Sequence, residues 1–413
     1  MPARNQNDMR YDIDKIRSYF PILQREVYNK PFIYLDSAAS AQKPVQVLMK
    51  EECLHNEYYG NIHRAAHFMA DKATFEFEDT RDKVKDFINA ASRKEIIFTK
   101  GTTESINLVA NSFCEKFLNP GDEIIVSEME HHSNIVPWQI AAARKGAKVV
   151  KLPFNDNGVL NIEKLPELIS KRTKLTAVAH VSNVLGTINP IPEIVGIARE
   201  NKVAVLVDGA QASPHLPIDV KKLDVDFYAF SAHKMYGPNG VGVLYGKEKW
   251  LNEMPPYQGG GEMIAEVSFE GTTFNELPYK FEAGTPNISS VIAFGAAIDL
   301  LNEIGLENIG DWEHELLTYA TSRLKEIEGI TIYGEASDKS GVISFNIDGI
   351  HSYDLGMLLD KMGVAVRTGH LCADTVMQHY NIQGCIRISF GIYNTKKEID
   401  GFIQALNKVR MMF

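Results

Sequence analysis

Asp208-Gly-Ala-Gln211 and Ser231-Ala-His-Lys234 are the two stretches that decide the fold, and each follows a short apolar run. The runs cover residues 203–207 and 227–230. Short apolar runs that end in polar residues are typical of buried parallel strands, and open α/β sheets bind ligands at the carboxyl ends of such strands. Two neighbouring strands would therefore present a carboxylate and a lysine amine in one crevice.

A strand-end carboxylate that faces a lysine is the pair that a pyridoxal 5′-phosphate (PLP) site needs. Lys234 would form the Schiff base, and Asp208 would keep the pyridinium nitrogen protonated so that the ring accepts electrons. Taken singly, an aspartate at a strand end is more often a helix N-cap, and a lysine more often lies on the surface. The combination with Gln211 and His233 predicts a PLP site.

The chain alternates short apolar runs with helical stretches from about residue 95 onward. This pattern predicts an α/β fold whose large domain holds a mostly parallel, doubly wound sheet, beside a smaller α+β domain. We expect residues 1–30 to form an N-terminal segment packing on the small domain, residues 31–290 the large PLP-binding domain, and residues 291–413 the small C-terminal domain. A long helix should run from residue 291 to about Gly305, which is a plausible stop.

Composition and charge narrow the class of protein. The chain has 413 residues, 45% of them hydrophobic and 23% charged, with a formal net charge of −10. The charges are dispersed, which argues against binding to nucleic acid or to an anionic membrane surface. No stretch approaches the roughly 20 apolar residues of a membrane span, and the N-terminus lacks the apolar core of a signal peptide. We therefore expect a cytoplasmic protein whose four cysteines are free thiols.

Gly101-Thr102-Thr103 follows an apolar run and opens an apparent helix over residues 104–113. Free backbone N–H groups and the positive end of a helix make such a turn an anion site, although the same turn is also an ordinary N-cap. With the Asp–Lys pair downstream, it fits the cofactor phosphate. The candidate phosphate contacts are Thr102, Thr103, Ser231 and His233.

Histidines and an asparagine supply further candidates. Adjacent histidines in Glu130-His-His-Ser-Asn134 cannot point the same way from a regular element, so one imidazole could lie on the pyridine ring while a solvated or core histidine remains the alternative. The amide of Asn183 could donate to the phenolic oxygen of the cofactor or to a substrate carboxylate. His63 and His67 have the i, i+4 spacing of a metal pair, but no acidic or cysteine partner lies at ligand spacing, and we expect no metal.

Arg387 and Cys372 are the candidates for handling the substrate. Arg387 lies among apolar residues, where a charge without an anionic partner is costly, and a bidentate clamp on an amino-acid carboxylate suits it. The stretch Arg367-Thr-Gly-His-Leu-Cys372 could expose a thiolate favoured by its positive neighbours. Most cysteines are buried small hydrophobes, so the local sequence leaves both interpretations open. The buried interpretation is the one we give to Cys53, Cys114 and Cys385.

Eight stretches combine into one pattern. They are Leu35-Asp-Ser-Ala-Ala-Ser-Ala-Gln-Lys-Pro44, Gly101-Thr-Thr-Glu104, Met129-Glu-His-His-Ser-Asn-Ile-Val-Pro-Trp138, His180-Val-Ser-Asn-Val-Leu-Gly186, Asp208-Gly-Ala-Gln211, Ser231-Ala-His-Lys-Met-Tyr-Gly-Pro238, Phe281-Glu-Ala-Gly-Thr-Pro-Asn287 and Arg367-Thr-Gly-His-Leu-Cys372. The set resembles the group II, SufS-type cysteine desulfurases of the class V aminotransferase family, whose fold is PLP fold type I. The resemblance runs from about residue 10 to the C-terminus.

This resemblance implies a role for each candidate residue. Lys234 would be the Schiff-base lysine and proton shuttle, Asp208 the pyridinium partner, and Gln211 a donor to the ring oxygen. His131 would stack on the ring, and Cys372 would attack the substrate sulfur. The remaining implied contacts are Thr103, Ser231 and His233 at the phosphate, Thr285 at the phosphate of the neighbouring subunit in a homodimer, and Asn183 and Arg387 at the substrate carboxylate. Arg367 and His63 are further candidates for substrate binding.

The implied activity is conversion of L-cysteine to L-alanine with a persulfide on Cys372, whose sulfur a SufE-like or SufU-like acceptor would carry to iron–sulfur cluster assembly. A selenocysteine lyase acting on L-selenocysteine at the same site is the nearest alternative. Another class V enzyme would need no loop thiol, and a non-catalytic scaffold would not need both Lys234 and Asp208. Leu371, where a second histidine is common, and Asp374-Thr375, in place of a frequent x-Pro pair, depart from the pattern and leave the acceptor open.

Overall fold

The computed structural model of the chain describes residues 11–64 and 66–413. The strands are β1 (Glu26–Val27), β2 (Lys30–Pro31), β3 (Ile33–Tyr34), β4 (Ile96–Thr99), β5 (Glu123–Ser127), β6 (Lys148–Leu152), β7 (Thr173–Ala179), β8 (Ala204–Asp208), β9 (Phe227–Ser231), β10 (Gly242–Gly246), β11 (Ile264–Val267), β12 (Thr272–Phe274), β13 (Ile330–Tyr333), β14 (Val342–Ile347), β15 (Val364–Ala365), β16 (Arg367–Gly369) and β17 (Cys385–Ser389). The α-helices are α1 (Ile13–Ser18), α2 (Val45–Glu57), α3 (Phe68–Phe87), α4 (Thr102–Phe117), α5 (Val136–Lys145), α6 (Leu165–Leu168), α7 (Ile191–Glu200), α8 (Val220–Leu223), α9 (Glu248–Glu253), α10 (Ile288–Ile304), α11 (Leu306–Lys325), α12 (Ser352–Lys361), α13 (Asp374–His379) and α14 (Lys396–Arg410).

A seven-stranded sheet in the order β4-β10-β9-β8-β7-β5-β6 forms the centre of the large domain. Its strands run parallel except β10, which is antiparallel to β4 and β9. All residues of β8 and β9 are buried. Strands buried on both faces have continuous apolar sequences rather than alternating ones, because neither face meets water. The predicted α/β fold with a mostly parallel sheet is confirmed.

Strands β8 and β9 are direct neighbours, and this adjacency brings the two deciding stretches together. Asp208 ends β8 and is in register with Ala229 of β9. Ser231 ends β9, and a short 3-10 turn, Ala232–Lys234, follows it. The carboxyl ends of both strands therefore open into one crevice, as the sequence predicts.

The small domain contains an antiparallel sheet in the order β13-β14-β17-β16. Arg367 of β16 lies opposite Arg387 of β17 in this sheet. Strand β3 pairs in parallel with β15. The segment that leads into the large domain is therefore hydrogen-bonded to a strand of the small domain. Both arginines are thereby carried to the edge of the small domain that faces the crevice.

Helix α10 differs from the predicted domain division. It packs against α2 and α3 of the large domain, so the predicted boundary at residues 290/291 falls inside a helix of the large domain. Gly305 ends α10 with φ of 86°, as its position in the sequence predicts. Within the described residues, no single helix is long and apolar enough to cross a bilayer. Helices α10 and α11 together have the required length and composition, but they are bent by 76° at this glycine.

The described part of the N-terminal segment lies between the two domains. The Tyr11 hydroxyl donates to the Ile392 carbonyl at 2.6 Å. The Phe20 ring contacts Tyr393 of the small domain and also Tyr236 of the large one. The segment therefore packs on both domains rather than on the small domain alone, and residues 1–10 of the prediction lie outside the described residues.

We predict that Gly242→Ala disturbs the crevice through packing. A Cβ at position 242 would lie 2.4 Å from the Cα of Gly101, which is the N-cap of α4. Overpacking of this kind costs about 1–3 kcal/mol, and the shifted turn should weaken PLP binding. Urea unfolding and PLP titration measure both effects. Gly196→Ala is the matched control, because no atom of the described residues lies within 4 Å of its Cβ position. Equal behaviour of the two variants would contradict the prediction.

Candidate active site

A cavity of about 330 Å³ opens at the carboxyl ends of β8 and β9, between the large sheet and the arginine-bearing strands of the small domain. It collects most of the residues that the sequence singles out. Those that line it are Thr102, His131, Asn183, Asp208, Gln211, Ser231, His233, Lys234, Arg367, Cys372 and Arg387.

Three predicted site residues lie elsewhere. Thr103 is exposed on α4, because one residue along a helix turns the side chain by about 100° from that of Thr102. His63 lies outside the cavity, with Nε2 3.1 Å from Glu78 Oε1, so its predicted contact with substrate is not supported within this chain. Thr285 is exposed beside a second cavity; its predicted role concerns a neighbouring subunit and stays a prediction. Among residues 11–64 and 66–413, no group of three or more His, Cys, Asp or Glu could hold a metal ion.

Lys234 and Asp208 are an amine and a carboxyl that share a water-poor crevice. Burial lowers the pKa of Lys234 to about 8, although the Asp208 charge opposes that shift. Burial raises the pKa of Asp208. Two weaker effects lower it: the Ala210 N–H donates to Oδ1 at 2.9 Å, and the positive charge of Lys234 favours the ionised carboxylate. A cationic ring nitrogen facing Asp208 would favour its ionised form. The pair can thus offer an amine that loses its proton far more readily than an exposed lysine, and a carboxylate for a bound cation.

The phosphate end of the cavity is built from α4 and the end of β9. The Thr102 N–H donates to Ser231 Oγ at 2.8 Å, and the two hydroxyl oxygens are 2.6 Å apart. Because Thr102 is the first residue of a 16-residue helix, the positive helix end points here. Burial lowers the pKa of His233 to about 4, so this imidazole is neutral at physiological pH and carries one N–H. Hydroxyls and a helix N-terminus suit a phosphate.

His131 faces the cavity while His132 turns away, as expected for adjacent histidines. His131 Nδ1 accepts the N–H of Ser133 at 3.1 Å, which leaves the ring proton on Nε2. Burial lowers the pKa of His131 to about 4, and the charge of Lys234 adds to this shift. The segment is fixed from behind by the buried Glu130, which accepts the Ala179 N–H at 2.8 Å. A neutral, immobilised imidazole is suited to stack on a planar ring.

Arg387 is buried and partly paired. Its Nη2 lies 3.1 Å from Asp36 Oδ1, and its Nη1 donates to the Asn183 carbonyl at 2.9 Å. Its Nε has no partner among residues 11–64 and 66–413, and an unpaired buried donor beside a cavity is the feature that a bound anion would satisfy. Arg367 Nη2 lies 2.8 Å from Asp36 Oδ2. Asp36 thus bridges both arginines.

Asp36 is a site residue that the sequence analysis missed. The only signal for it was its position directly after the apolar run that contains β3, inside the motif that starts at Leu35. Asn183 lines the cavity, so its predicted contact with cofactor or substrate stays a prediction. Its amide also donates one N–H to the Leu371 carbonyl at 2.8 Å and so holds the cysteine loop.

Cys372 lies on a turn at the mouth of the cavity and is exposed. Leu371 and Cys372 both have left-handed backbone conformations, with φ of 55° and 54°. Non-glycine residues rarely adopt this conformation, and it persists only where the surroundings enforce it. The thiol is therefore held on a strained turn that faces the crevice of Lys234.

The donor set fits PLP. Asp208 would face the ring nitrogen, His131 the ring, and Thr102, Ser231 and His233 the phosphate. Gln211 Oε1 is buried and has no partner in the described part of the chain, while its Nε2 donates to the Ala38 carbonyl at 2.6 Å. Unsatisfied polar atoms on the cavity wall are consistent with a polar ligand that completes the site.

Comparisons with known proteins agree with this site. The family model described as aminotransferase class-V matches residues 33–402. Cysteine desulfurases from Serratia proteamaculans (strain 568) and Escherichia coli O7:K1 are each 49% identical over 405 residues, which cover 98% of this chain and 100% of the relative. The crystal structure of the cysteine desulfurase CsdA from Escherichia coli is 40% identical, with a TM-score of 0.91 over 97% of this chain and 99% of that one. The apo cysteine desulfurase from Thermococcus onnurineus NA1 is 37% identical, with a TM-score of 0.90 over 95% and 98% of the two chains.

The chain belongs to the aminotransferase class-V family, whose enzymes have PLP fold type I and use PLP as cofactor. Within that family, its similarity is to the group II cysteine desulfurases. The resemblance inferred from the sequence motifs is confirmed.

We predict that Lys234 is the residue that binds PLP covalently, and that its reactivity follows its lowered pKa. Because only the neutral amine attacks a carbonyl, the rate of borohydride-trapped labelling of cofactor-free protein should rise with pH and level off above about 8. Peptide mapping should place the adduct on Lys234, and Lys234→Arg should give none. An adduct on another lysine, or a rate still rising well above that pH, would contradict the assignment.

Proposed function

We propose that this chain is a PLP-dependent cysteine desulfurase that converts L-cysteine to L-alanine and keeps the sulfur as a persulfide on Cys372. One observation carries the proposal: Cys372 is an exposed thiol that lines the same cavity as Lys234 and Arg387. The other cysteines are unsuited to this role. Burial raises the pKa of Cys114 to about 12 and that of Cys385 to about 11, and Cys53 is not at the cavity.

The reaction is balanced without an external oxidant. Sγ of Cys372, as thiolate, attacks the sulfur of bound cysteine, an S–S bond forms, and the carbon–sulfur bond of the substrate breaks. The electron pair of that bond stays on the substrate carbon, which takes up a proton, and alanine leaves. When bound, PLP withdraws electrons from the carbon atoms next to the amino group and so makes this cleavage accessible.

The other residues of the site bind substrate and move protons. Arg387 would bind the substrate carboxylate through Nε, which has no partner within the described residues, while Asp36 fixes the guanidinium plane. Lys234, with a pKa near 8, can take a proton from the α-carbon and return it. His131 keeps one face of the cavity occupied by a neutral ring. These roles agree with those that the sequence motifs imply.

We further propose that the enzyme acts as a cytoplasmic homodimer in a SUF-type system for iron–sulfur cluster assembly. The exposed Thr285, in a motif shared with the family, supports a contact to the phosphate of the neighbouring subunit. The exposed position of Cys372 supports transfer of its sulfur to a SufE-like or SufU-like acceptor. L-Selenocysteine is a second substrate to assay at the same site, because selenium leaves carbon more readily than sulfur.

We predict that Cys372→Ser binds PLP and L-cysteine but forms alanine more slowly by a factor on the order of 100 or more, because a hydroxyl is a far weaker nucleophile than a thiolate. Alanine release and mass spectrometry of the L-cysteine-treated protein measure this. Cys53→Ser is the control and should retain full turnover. Sulfur added to another cysteine of the wild-type protein, with Cys372 unmodified, would overturn the proposal.

We predict that dissociation of the dimer releases PLP, because each phosphate site would lose the Thr285 of its neighbour. Sedimentation at decreasing protein concentration, followed at the absorbance of the cofactor, should show PLP loss together with the appearance of monomers. Thr285→Ala should weaken PLP retention while leaving Lys234 reactive. A monomer with full cofactor content and activity would contradict the proposed assembly.

A further inference from the structure

Asp374 follows Cys372 by two residues and connects two histidines. Its Oδ1 lies 2.5 Å from His370 Nδ1, and its Oδ2 lies 2.9 Å from His132 Nε2. His370 precedes the cysteine in the same loop, whereas His132 belongs to the large domain. The carboxylate therefore joins the two ends of the cysteine turn and fastens them to a segment 242 residues away in the chain.

His132 Nε2 has two neighbours on Asp374 that compete for it. The Asp374 backbone N–H lies 3.1 Å away and would donate to a bare nitrogen, while the carboxylate oxygen at 2.9 Å needs an N–H. A ring nitrogen serves only one of these at a time. The hydrogen-bond geometry favours the backbone, so the Asp374 N–H donates to Nε2. The carboxylate oxygen Oδ2 lies 2.9 Å from the same nitrogen and contacts this edge of the ring.

The same histidine holds the cysteine turn through its backbone. The His132 N–H donates to the Cys372 carbonyl at 2.8 Å. Asn183 holds the preceding carbonyl, that of Leu371, at 2.8 Å. The turn thus has two backbone attachments to the large domain, and the carboxylate adds a side-chain attachment just after the cysteine. Consecutive left-handed residues cost about 1–3 kcal/mol each, so such attachments are what maintain the conformation.

His132 is also next to the residue that faces the cofactor site. His131 lines the cavity, and Ser133 fixes its ring. A displacement of His132 therefore changes the distance between the cysteine turn and the cavity wall directly. Because reacting atoms must be held in near-attack geometry, a displacement of about 1 Å can slow a reaction up to about 100-fold.

We propose that Asp374 is a positioning residue that sets the approach of Cys372 to the substrate sulfur through its contacts with His132 and His370. The inference rests on the proposed role of Cys372 and gives a function to one of the positions where this chain departs from the family pattern. Asp374 acts through the turn and does not contact the substrate. It is partly exposed, so its removal leaves no buried unpaired charge and should not unfold the domain.

The test compares Asp374→Ala with wild-type holoenzyme under single-turnover conditions. Persulfide formation on Cys372, followed by rapid quenching and mass spectrometry, should slow on the order of tenfold. PLP content, the KM for L-cysteine and the temperature of unfolding should stay as in the wild type. Asp374→Asn keeps the size of the side chain and one acceptor oxygen, so its rate of persulfide formation should lie between those of the wild type and Asp374→Ala.

The matched control is Asp156→Ala. Asp156 also accepts from a histidine, with Oδ1 3.1 Å from His379 Nε2, and that histidine is at the far end of α13. It contacts neither the cysteine turn nor the cavity. Its removal should leave the rate of persulfide formation unchanged.

Two further measurements separate positioning from other roles. The rate at which iodoacetamide alkylates Cys372 in the resting enzyme should not fall in Asp374→Ala, because the thiol stays exposed; a fall equal to that of persulfide formation would overturn positioning in favour of thiol activation. In a double-mutant cycle with His132→Ala, the two substitutions should together slow persulfide formation by less than the product of their separate factors, since both remove the contact between Oδ2 and the His132 ring. Additive effects would overturn the route through His132.

The outcomes also distinguish this inference from the proposed function. Wild-type enzyme that gains no sulfur on Cys372 would overturn the proposed function. Wild-type enzyme that forms the persulfide, with Asp374→Ala forming it at the same rate, would overturn the positioning role alone.

Discussion

The structure depends on placing an amine and a carboxyl of opposite charge in one crevice that excludes water. Parallel strands accomplish this, because their carboxyl ends meet at one edge and their faces are both covered. Burial alone would neutralise the pair, raising the pKa of Asp208 and lowering that of Lys234. The site therefore contains a carboxyl that gains its charge from a bound cationic ring and an amine that is available as a nucleophile. Both properties follow from burial at the end of a sheet.

The substrate end of the crevice requires the second domain. The large sheet provides hydroxyls, a helix end and the Asp–Lys pair, but the arginine beside the cavity comes from β17. Arg387 in an apolar strand would be costly without an anion, and Asp36 supplies one from the chain just after β3. Pairing of β3 with β15 carries Asp36 to this place. The interface between the domains and the proposed site for the substrate carboxylate are consequently the same structure.

The sequence predicted the strands of the large sheet well because fully buried strands have unbroken apolar sequences. Failures occurred where direction or distance matters. Thr102 and Thr103 have the same chemistry, and only the helix phase decides which faces the cavity. The domain boundary was misplaced because α10 is apolar on nearly all sides, so its sequence does not show which domain it packs on. The contact between His132 and Asp374 joins residues 242 positions apart, so no local sequence pattern predicts it.

Under the proposed function, the cysteine turn has to satisfy two opposed requirements. A thiol that removes sulfur from a substrate inside the crevice must be held close to it, whereas a thiol that hands that sulfur to another protein must stay accessible. Rigid burial would meet the first requirement and prevent the second. An exposed turn attached by Asn183, the His132 backbone and Asp374 meets both, because these contacts hold the turn at the cavity while the thiol stays accessible to solvent. The left-handed backbone at Leu371 and Cys372 is thus consistent with a nucleophile that works in two places.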